Sequence, residues 1–150
     1  GGTIATEMSH LLPIRKLVVI SSFKHKNEIP FLFKLARYFP LYILVPAWFI
    51  RVSVPLFARI LRICNKKETQ DLKAMLKDRT AKHFAWGRRA IVKWNNEQKT
   101  VNYLHINGSK DHIFNKANKH ATHIIEGGTH NMIIDRAEEI ALIINSQVLN

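Results

Sequence analysis

Cysteine occurs once in 150 residues, as Cys64, and acidic residues are scarce: 11 Asp and Glu face 23 Lys and Arg, for a formal net charge of +12. A lone cysteine excludes an intramolecular disulfide and argues against a disulfide-stapled secreted scaffold, so a reducing, cytoplasmic setting is expected. No signal peptide is visible. Long apolar runs are missing too: the run over residues 41–50 is closed by Arg51 and falls short of the ~20 residues a spanning helix needs. There is no internal repeat and no low-complexity segment. Eight histidines raise the question of a metal, with His105, His112, His120 and His123 close together along the chain. Without an H-E-x-x-H pattern or a cysteine pair, these do not make a zinc signature, and neither metal nor cofactor is expected.

Hydrophobic residues make up 47% of the chain, enough for one domain with a core of its own. The excess charge is local. Residues 24–99 carry 17 Lys and Arg against 5 Asp and Glu, whereas the remainder carries 6 against 6. This asymmetry marks an insertion. A basic field can draw in nucleic acid, anionic lipid or an acidic substrate with a strength that falls as salt rises. Its simpler consequence is a solvated helical surface.

Residues 3–12 set Ile4, Ala5, Met8, Leu11 and Leu12 at helical spacing, which predicts a helix that buries those residues and ends at Pro13. Residues 16–22, K-L-V-V-I-S-S, are β-branched and apolar after the first position and predict a central parallel strand. From residue 24 to about residue 98 helical patterns replace strand alternation. Pro30 opens a helix through Phe39, with Pro40 as its stop. A second segment, residues 46–63 with a kink at Pro55, sets Arg51, Arg59 and Arg62 on one face and Trp48, Phe49, Val52, Leu56 and Ile60 on the other. An amphipathic basic helix of this kind suits a membrane surface, but a cap packed over a cleft is the preferred reading.

Residues 65–67 read as a connection, and residues 68–82 as a polar helix with Leu72, Met75, Leu76 and Ala81 inside. Residues 80–94 then offer His83, Phe84, Trp86, Ile91 and Trp94. Aromatics among basic residues can stack on nucleobases; at helical spacing they are better read as the core of the insertion. The final helix, residues 135–148, starts acidic with Asp135, Glu138 and Glu139, which suits the positive end of its dipole. Ala137, Ile140, Ala141, Ile143 and Ile144 form its apolar stripe.

Between residues 101 and 133, two apolar runs, V-N-Y-L-H-I-N-G and A-T-H-I-I-E-G-G, each stop at glycine. Runs so short, bounded by turn residues, predict buried strands. In an open parallel sheet the working residues collect at the carboxyl ends of strands. Beyond each glycine stands a residue that handles protons: Asp111 in G-S-K-D and His130 in G-G-T-H. A carboxylate so placed can hold an imidazole in one tautomer, which is two-thirds of a nucleophilic triad. The same residue types also make plain turns, but their order along the chain favours the catalytic reading.

G-S-K-D after one strand and G-G-T-H after the next resemble the acid and histidine segments of the α/β-hydrolase fold, whose triad runs nucleophile, acid, histidine in chain order. The opening G-G-T-I-A-T-E-M resembles the helix that follows that family's nucleophile elbow, G-x-S-x-G, with Gly1 as the closing glycine. The resemblance spans the whole chain but only the latter half of the family's domain: residues 1–23 as elbow helix and strand, 24–98 as a helical cap, and 99–150 as the acid and histidine strands with the final helix. It implies an α/β fold of parallel strands flanked by helices, with Asp111 and His130 catalytic and no cofactor. It also implies hydrolysis of a small acyl or ester substrate by a serine or other nucleophile. That nucleophile would sit two positions before Gly1, so the 150 residues alone are expected to be inactive without the N-terminal half of the fold.

Two departures stand out. Asn131 is more polar than the family's usual residue after the histidine, and residues 21–23, where some members carry the acid, are Ser21, Ser22 and Phe23. His105, inside a strand, is expected to be a satisfied core residue, and His112 to line the cleft or be exposed. A rival class is a non-catalytic binding module whose Arg51, Arg59 and Arg62 meet nucleic acid or anionic membrane. A third is a degenerate hydrolase whose pocket binds a small ligand without chemistry.

Overall fold

The computed structural model describes residues 1–39, 44, 46–53, 55–56, 58, 69–70, 73–74, 77, 80–97 and 102–149. The chain divides into two compact units, one made of Gly1–Pro30 with Asn95–Asn150 and the other of Phe31–Trp94.

The first unit is built on three short strands. β1 (Leu17–Ile20), β2 (Tyr103–Gly108) and β3 (His123–Ile125) form a parallel sheet in the order β1-β2-β3. Val18 pairs with Leu104 and Ile20 with Ile106, and across the next seam Ile106 pairs with His123 and Gly108 with Ile125. Parallel strands lie between covering layers and read as continuous apolar runs for that reason. In β2 every residue from Leu104 onward is buried.

One face of the sheet carries Leu104, Ile106 and Ile125, which pack with Met132 and Ile140, while Val18, Ile20, Ile143, Ile144 and Val148 border the cluster. Burial of each large aliphatic side chain contributes about 1.5–3 kcal/mol. The C-terminal segment that supplies this cover is α5 (Met132–Asp135), a break at Arg136, α6 (Ala137–Ile144) and a π-helical turn (Asn145–Leu149). The continuous helix expected over residues 135–148 is therefore divided. Glu138 and Glu139 open α6 as expected, but Ala137 and Ala141 face solvent, and Ile140, Ile143 and Ile144 make the inner stripe.

α1 (Gly2–Leu11) approaches β1 through its small side. A Cβ on Gly2 would stand 2.2 Å from Ser22 Oγ and 3.6 Å from Val19 Cγ1. One turn on, Thr6 is fully buried and returns its hydroxyl to the Gly2 carbonyl at 2.9 Å. The expected inner stripe is reversed: Ile4, Met8, Leu11 and Leu12 are exposed, Leu11 at 81%. The reason is steric, because only the Gly2–Thr6 side is narrow enough for this separation from the strand.

The second unit is helical in its described parts. α2 (Phe31–Tyr38) follows Pro30 as expected, and α3 (Ala47–Val52) falls inside the segment predicted over residues 46–63. α4 (Ala81–Lys93) is capped by Thr80, whose hydroxyl accepts from the His83 N–H at 3.2 Å. Arg37 of α2 donates to the carbonyls of Val92 at 3.1 Å and Trp94 at 2.8 Å, placing a cation at the negative end of α4. Trp48, Phe49, Val52, Leu56, His83 and Trp86, all expected inside, are exposed. On α4 the inner positions are Phe84, Gly87, Arg88, Ile91 and Val92, three and four residues apart, and Trp86 lies off that face.

Expectations for Pro40, Arg59, Ile60, Arg62, residues 65–67, Leu72, Met75 and Leu76, for the side chains of Arg51 and Ala81, and for positions 54 and 57 on either side of Pro55 and Leu56 fall outside the described residues, as does Cys64. Among the described residues no helix is long and apolar enough to cross a membrane.

Candidate active site

The carboxyl ends of β2 and β3 are joined by their own turns. After β2 the chain reverses, with the Asp111 N–H donating to the Gly108 carbonyl at 3.1 Å; after β3 the Gly128 N–H donates to the Ile125 carbonyl at the same distance. Gly127 makes the second turn feasible, because its φ of +74° lies in the left-handed region that side chains disfavour. Four hydrogen bonds then tie one turn to the other. Ser109 N–H donates to the Ile125 carbonyl at 3.0 Å and Lys110 N–H to the Gly128 carbonyl at 2.9 Å. Ser109 Oγ donates to Glu126 Oε1 and accepts from the Gly127 N–H, both at 2.9 Å. At the centre Gly108 meets Gly128 so closely that a Cβ on Gly108 would lie 2.2 Å from the Gly128 carbonyl oxygen.

These turns bring Asp111 and His130 together. His130 Nδ1 and Asp111 Oδ2 are 3.0 Å apart, with the carboxylate side chain fully buried and the imidazole 27% exposed. The other carboxylate oxygen, Oδ1, accepts from the N–H groups of Ile113 at 2.9 Å and Phe114 at 3.0 Å. Burial alone would raise the Asp111 pKa, but the hydrogen bond from His130, the Phe114 N–H, the nearby imidazolium charge and the Ile113 N–H outweigh it and hold the carboxyl below its ordinary value. An acid kept ionised against its burial can orient an imidazole as Nδ1–H, leaving the Nε2 lone pair for chemistry. The Phe114 ring stands 5.1 Å from the His130 ring at 57°, and Phe23 stands 5.1 Å from Phe114, giving the imidazole an apolar wall.

Two other buried polar atoms near these strand ends have no hydrogen-bond partner among the described residues: Ser21 Oγ and Asn107 Oδ1. Ser21 follows β1 with φ of 45°, an uncommon conformation for a residue with a side chain. The Asn107 amide nitrogen is satisfied, donating to Asn118 Oδ1 at 2.7 Å and to the Phe114 carbonyl at 3.3 Å. Asn118 in turn donates to the Gly108 carbonyl at 3.3 Å, so the loop after Asp111 is anchored to the end of its own strand.

A second polar cluster braces the end of β1. Lys24 Nζ donates to Glu28 Oε1 at 3.1 Å, to the His120 carbonyl at 3.2 Å and to His105 Nδ1 at 3.4 Å, and it lies 4.4 Å from the centre of the Tyr103 ring. The Lys24 N–H donates to Glu28 Oε2 at 2.9 Å. With Nδ1 accepting, His105 carries its proton on Nε2 and donates it to the Ser22 carbonyl at 2.9 Å. Burial first, and the Lys24 charge second, push the His105 pKa down, against the pull of the Ser22 carbonyl and Glu28. His105 is thus a satisfied core residue as expected, and His112 is exposed. Sequence reasoning passed over Lys24 and Glu28, although an opposite-charge pair at i, i+4 directly after an apolar strand is a readable signal.

Among the described residues no group of three His, Cys, Asp or Glu side chains is arranged to hold a metal ion. The class defined by the fold is an α/β protein whose small parallel sheet is flanked by helices, with a further helical region. Neither a protein-family model, nor a curated protein, nor a solved structure matches the chain.

Proposed function

We propose that Asp111 and His130 are the acid and base of a nucleophile-His-Asp triad in an α/β-fold hydrolase acting on a small acyl or ester substrate. The observation that carries this reading is the 3.0 Å contact between a fully buried carboxylate and His130 Nδ1. The approach of Gly2 to Ser22 supports it as well, because α1 begins where β1 ends, at the same end of the parallel strands from which Asp111 and His130 emerge. A residue just N-terminal to α1 would enter from that rim. In this reading the nucleophile comes from there, two positions before Gly1, and the oxyanion hole uses the N–H that follows it and another from an earlier loop.

The nucleophile attacks the acyl carbonyl as His130 Nε2 takes its proton. Asp111 keeps Nδ1 protonated and stabilises the imidazolium, which then protonates the leaving group. Water repeats the cycle and releases the acid.

Hydrolysis of short activated esters tests the reading. The chain alone is expected to give no His130-dependent turnover, and joining it to an upstream segment that carries G-x-S-x ahead of Gly1 is expected to produce turnover that His130→Ala abolishes. Turnover by the chain alone that disappears in His130→Ala would refute the external nucleophile. An extended, folded protein without turnover would refute the hydrolase.

A further inference from the structure

We infer that Arg88 is the binding residue of a small-anion site within the helical unit, one that takes a carboxylate or phosphate group. Arg88 stands on the inner face of α4 with Phe84, Ile91 and the buried Val92, in a position where the helical repeat calls for an apolar side chain. Its Nε and Nη1 are buried and have no hydrogen-bond partner among the described residues. Arginine stays charged at any accessible pH and carries five N–H donors with no acceptor. Taking two of those N–H groups out of water with nothing to receive their hydrogen bonds is costly in a folded protein. An oxyanion removes that cost.

Arg37, in the same unit, shows the alternative. Its guanidinium is satisfied by protein, through the carbonyls of Val92 and Trp94 at the end of α4. Arg88 sits one turn earlier, and its Nε and Nη1 reach no such carbonyl among the described residues. The unit is also poor in internal counter-charge, with 14 Lys and Arg against 3 Asp and Glu over residues 31–94. A field of that sign concentrates small anions.

The burial of Nε and Nη1 sets the size of the ligand. A nucleic-acid backbone or a lipid surface meets exposed cations, here Lys82, Arg89 and Lys93 on the outer side of α4. Nitrogens turned inward suit the oxygens of a single carboxylate or phosphate group, with which the planar guanidinium forms paired, charge-assisted hydrogen bonds. This inference is independent of the hydrolase reading, since it uses no residue of the first unit.

The test is calorimetric titration of the whole chain with inorganic phosphate and, separately, with succinate, at constant ionic strength maintained with chloride. Saturable one-to-one binding of one of the two is expected, and which one binds assigns the ligand to phosphates or carboxylates. Arg89→Met, which removes the same charge from the exposed neighbour, should bind nearly as the unmodified chain does. Arg88→Met should weaken binding roughly tenfold or more, as for loss of a charged hydrogen-bond donor. Arg88→Lys, which keeps the charge but loses the fork, should also weaken it and carries the test if the methionine variant does not fold. Unliganded Arg88→Met is expected to unfold at an equal or higher denaturant concentration than the unmodified chain, since it removes two buried nitrogens that have no partner among the described residues. Absence of saturable binding by either anion, undiminished affinity in both Arg88 variants, or equal losses from Arg88→Met and Arg89→Met would overturn the assignment.

Discussion

Asp111 holds His130 with one carboxylate oxygen because its other oxygen is already committed: Oδ1 takes the N–H groups of Ile113 and Phe114, and Oδ2 takes His130 Nδ1 at 3.0 Å. The carboxylate is thereby fixed about its own bond, and the imidazole is oriented by a group that cannot rotate away.

Asp111→Asn is therefore predicted to invert the tautomer of His130 without moving the ring. Two backbone N–H donors will keep the amide oxygen at the Oδ1 position, so the amide nitrogen must face Nδ1 and donate to it. His130 then carries its proton on Nε2, where a base needs a lone pair. Nitrogen NMR of the chain should show the proton exchanged from Nδ1 to Nε2. In the nucleophile-bearing protein, turnover should fall by on the order of 10⁴-fold. An unchanged tautomer in the variant would show that Asp111 does not set it.

The glycines between the two turns give a graded test of how the pair is brought together. Gly108→Ala places a methyl against backbone, 2.2 Å from the Gly128 carbonyl oxygen, and should cost about 1–3 kcal/mol or more while separating Asp111 from His130. Gly127→Ala meets nothing nearer than Arg136 Nη2 at 3.7 Å but must hold φ at +74°, a cost of about 1–2 kcal/mol. Gly87→Ala, inside α4 with open space around it, should instead stabilise by roughly 0.5–1 kcal/mol. Urea unfolding of the three variants measures the order, and only Gly108→Ala is expected to disturb the His130 resonances.

Acid should unfold the first unit in two windows, and the signs follow from which state binds the proton. His105 has its folded pKa depressed, so as pH falls below the ordinary 6.5 the unfolded chain takes up a proton that the folded chain refuses, and stability is lost toward the lower folded value. Asp111 is depressed as well. Its contribution is complete above the ordinary 3.8 and is lost as pH falls through the folded value. Denaturant midpoints between pH 7.5 and pH 5 should decline in the unmodified chain and flatten in His105→Gln, whereas Asp111→Asn should flatten only the further decline below the ordinary 3.8. A His105→Gln profile parallel to the unmodified one would remove the imidazole from the account.

The legible parts of this chain are those where the local signal and the tertiary demand coincide. Asp111 and His130 stand just past short apolar runs that end in glycine, and the glycines are needed for the same close approach that joins the two turns, so one pattern carries both messages. Pro30 and the start of α2 coincide for an equally local reason. α1 reads differently, since its apolar periodicity is genuine, yet the side that meets β1 is chosen by the small radius at Gly2 and Thr6. On α4 the aromatic Trp86 outweighs Arg88 in any hydrophobicity pattern, although Arg88 shares the inner face with Val92. Periodicity identifies a helix, but which stripe faces inward depends on separations that no single segment encodes.

The Lys24–Glu28 pair provides the most demanding test of the packing at the end of β1. Both side chains are buried, Lys24 has three hydrogen-bond acceptors, and Glu28 uses both oxygens on Lys24 itself. Lys24→Met should cost about 3–5 kcal/mol, because it leaves a buried carboxylate without its counter-ion. Glu28→Gln should cost less, since a Gln oxygen can still accept the Lys24 N–H. In the double variant no full charge is stranded, so its cost should fall below the sum of the two by roughly 0.5–3 kcal/mol. Urea denaturation of the four proteins closes the cycle. Additive losses would mean that the two charges are solvated independently and that the neighbouring His105, whose Nε2 proton holds the Ser22 carbonyl, is positioned by the sheet alone.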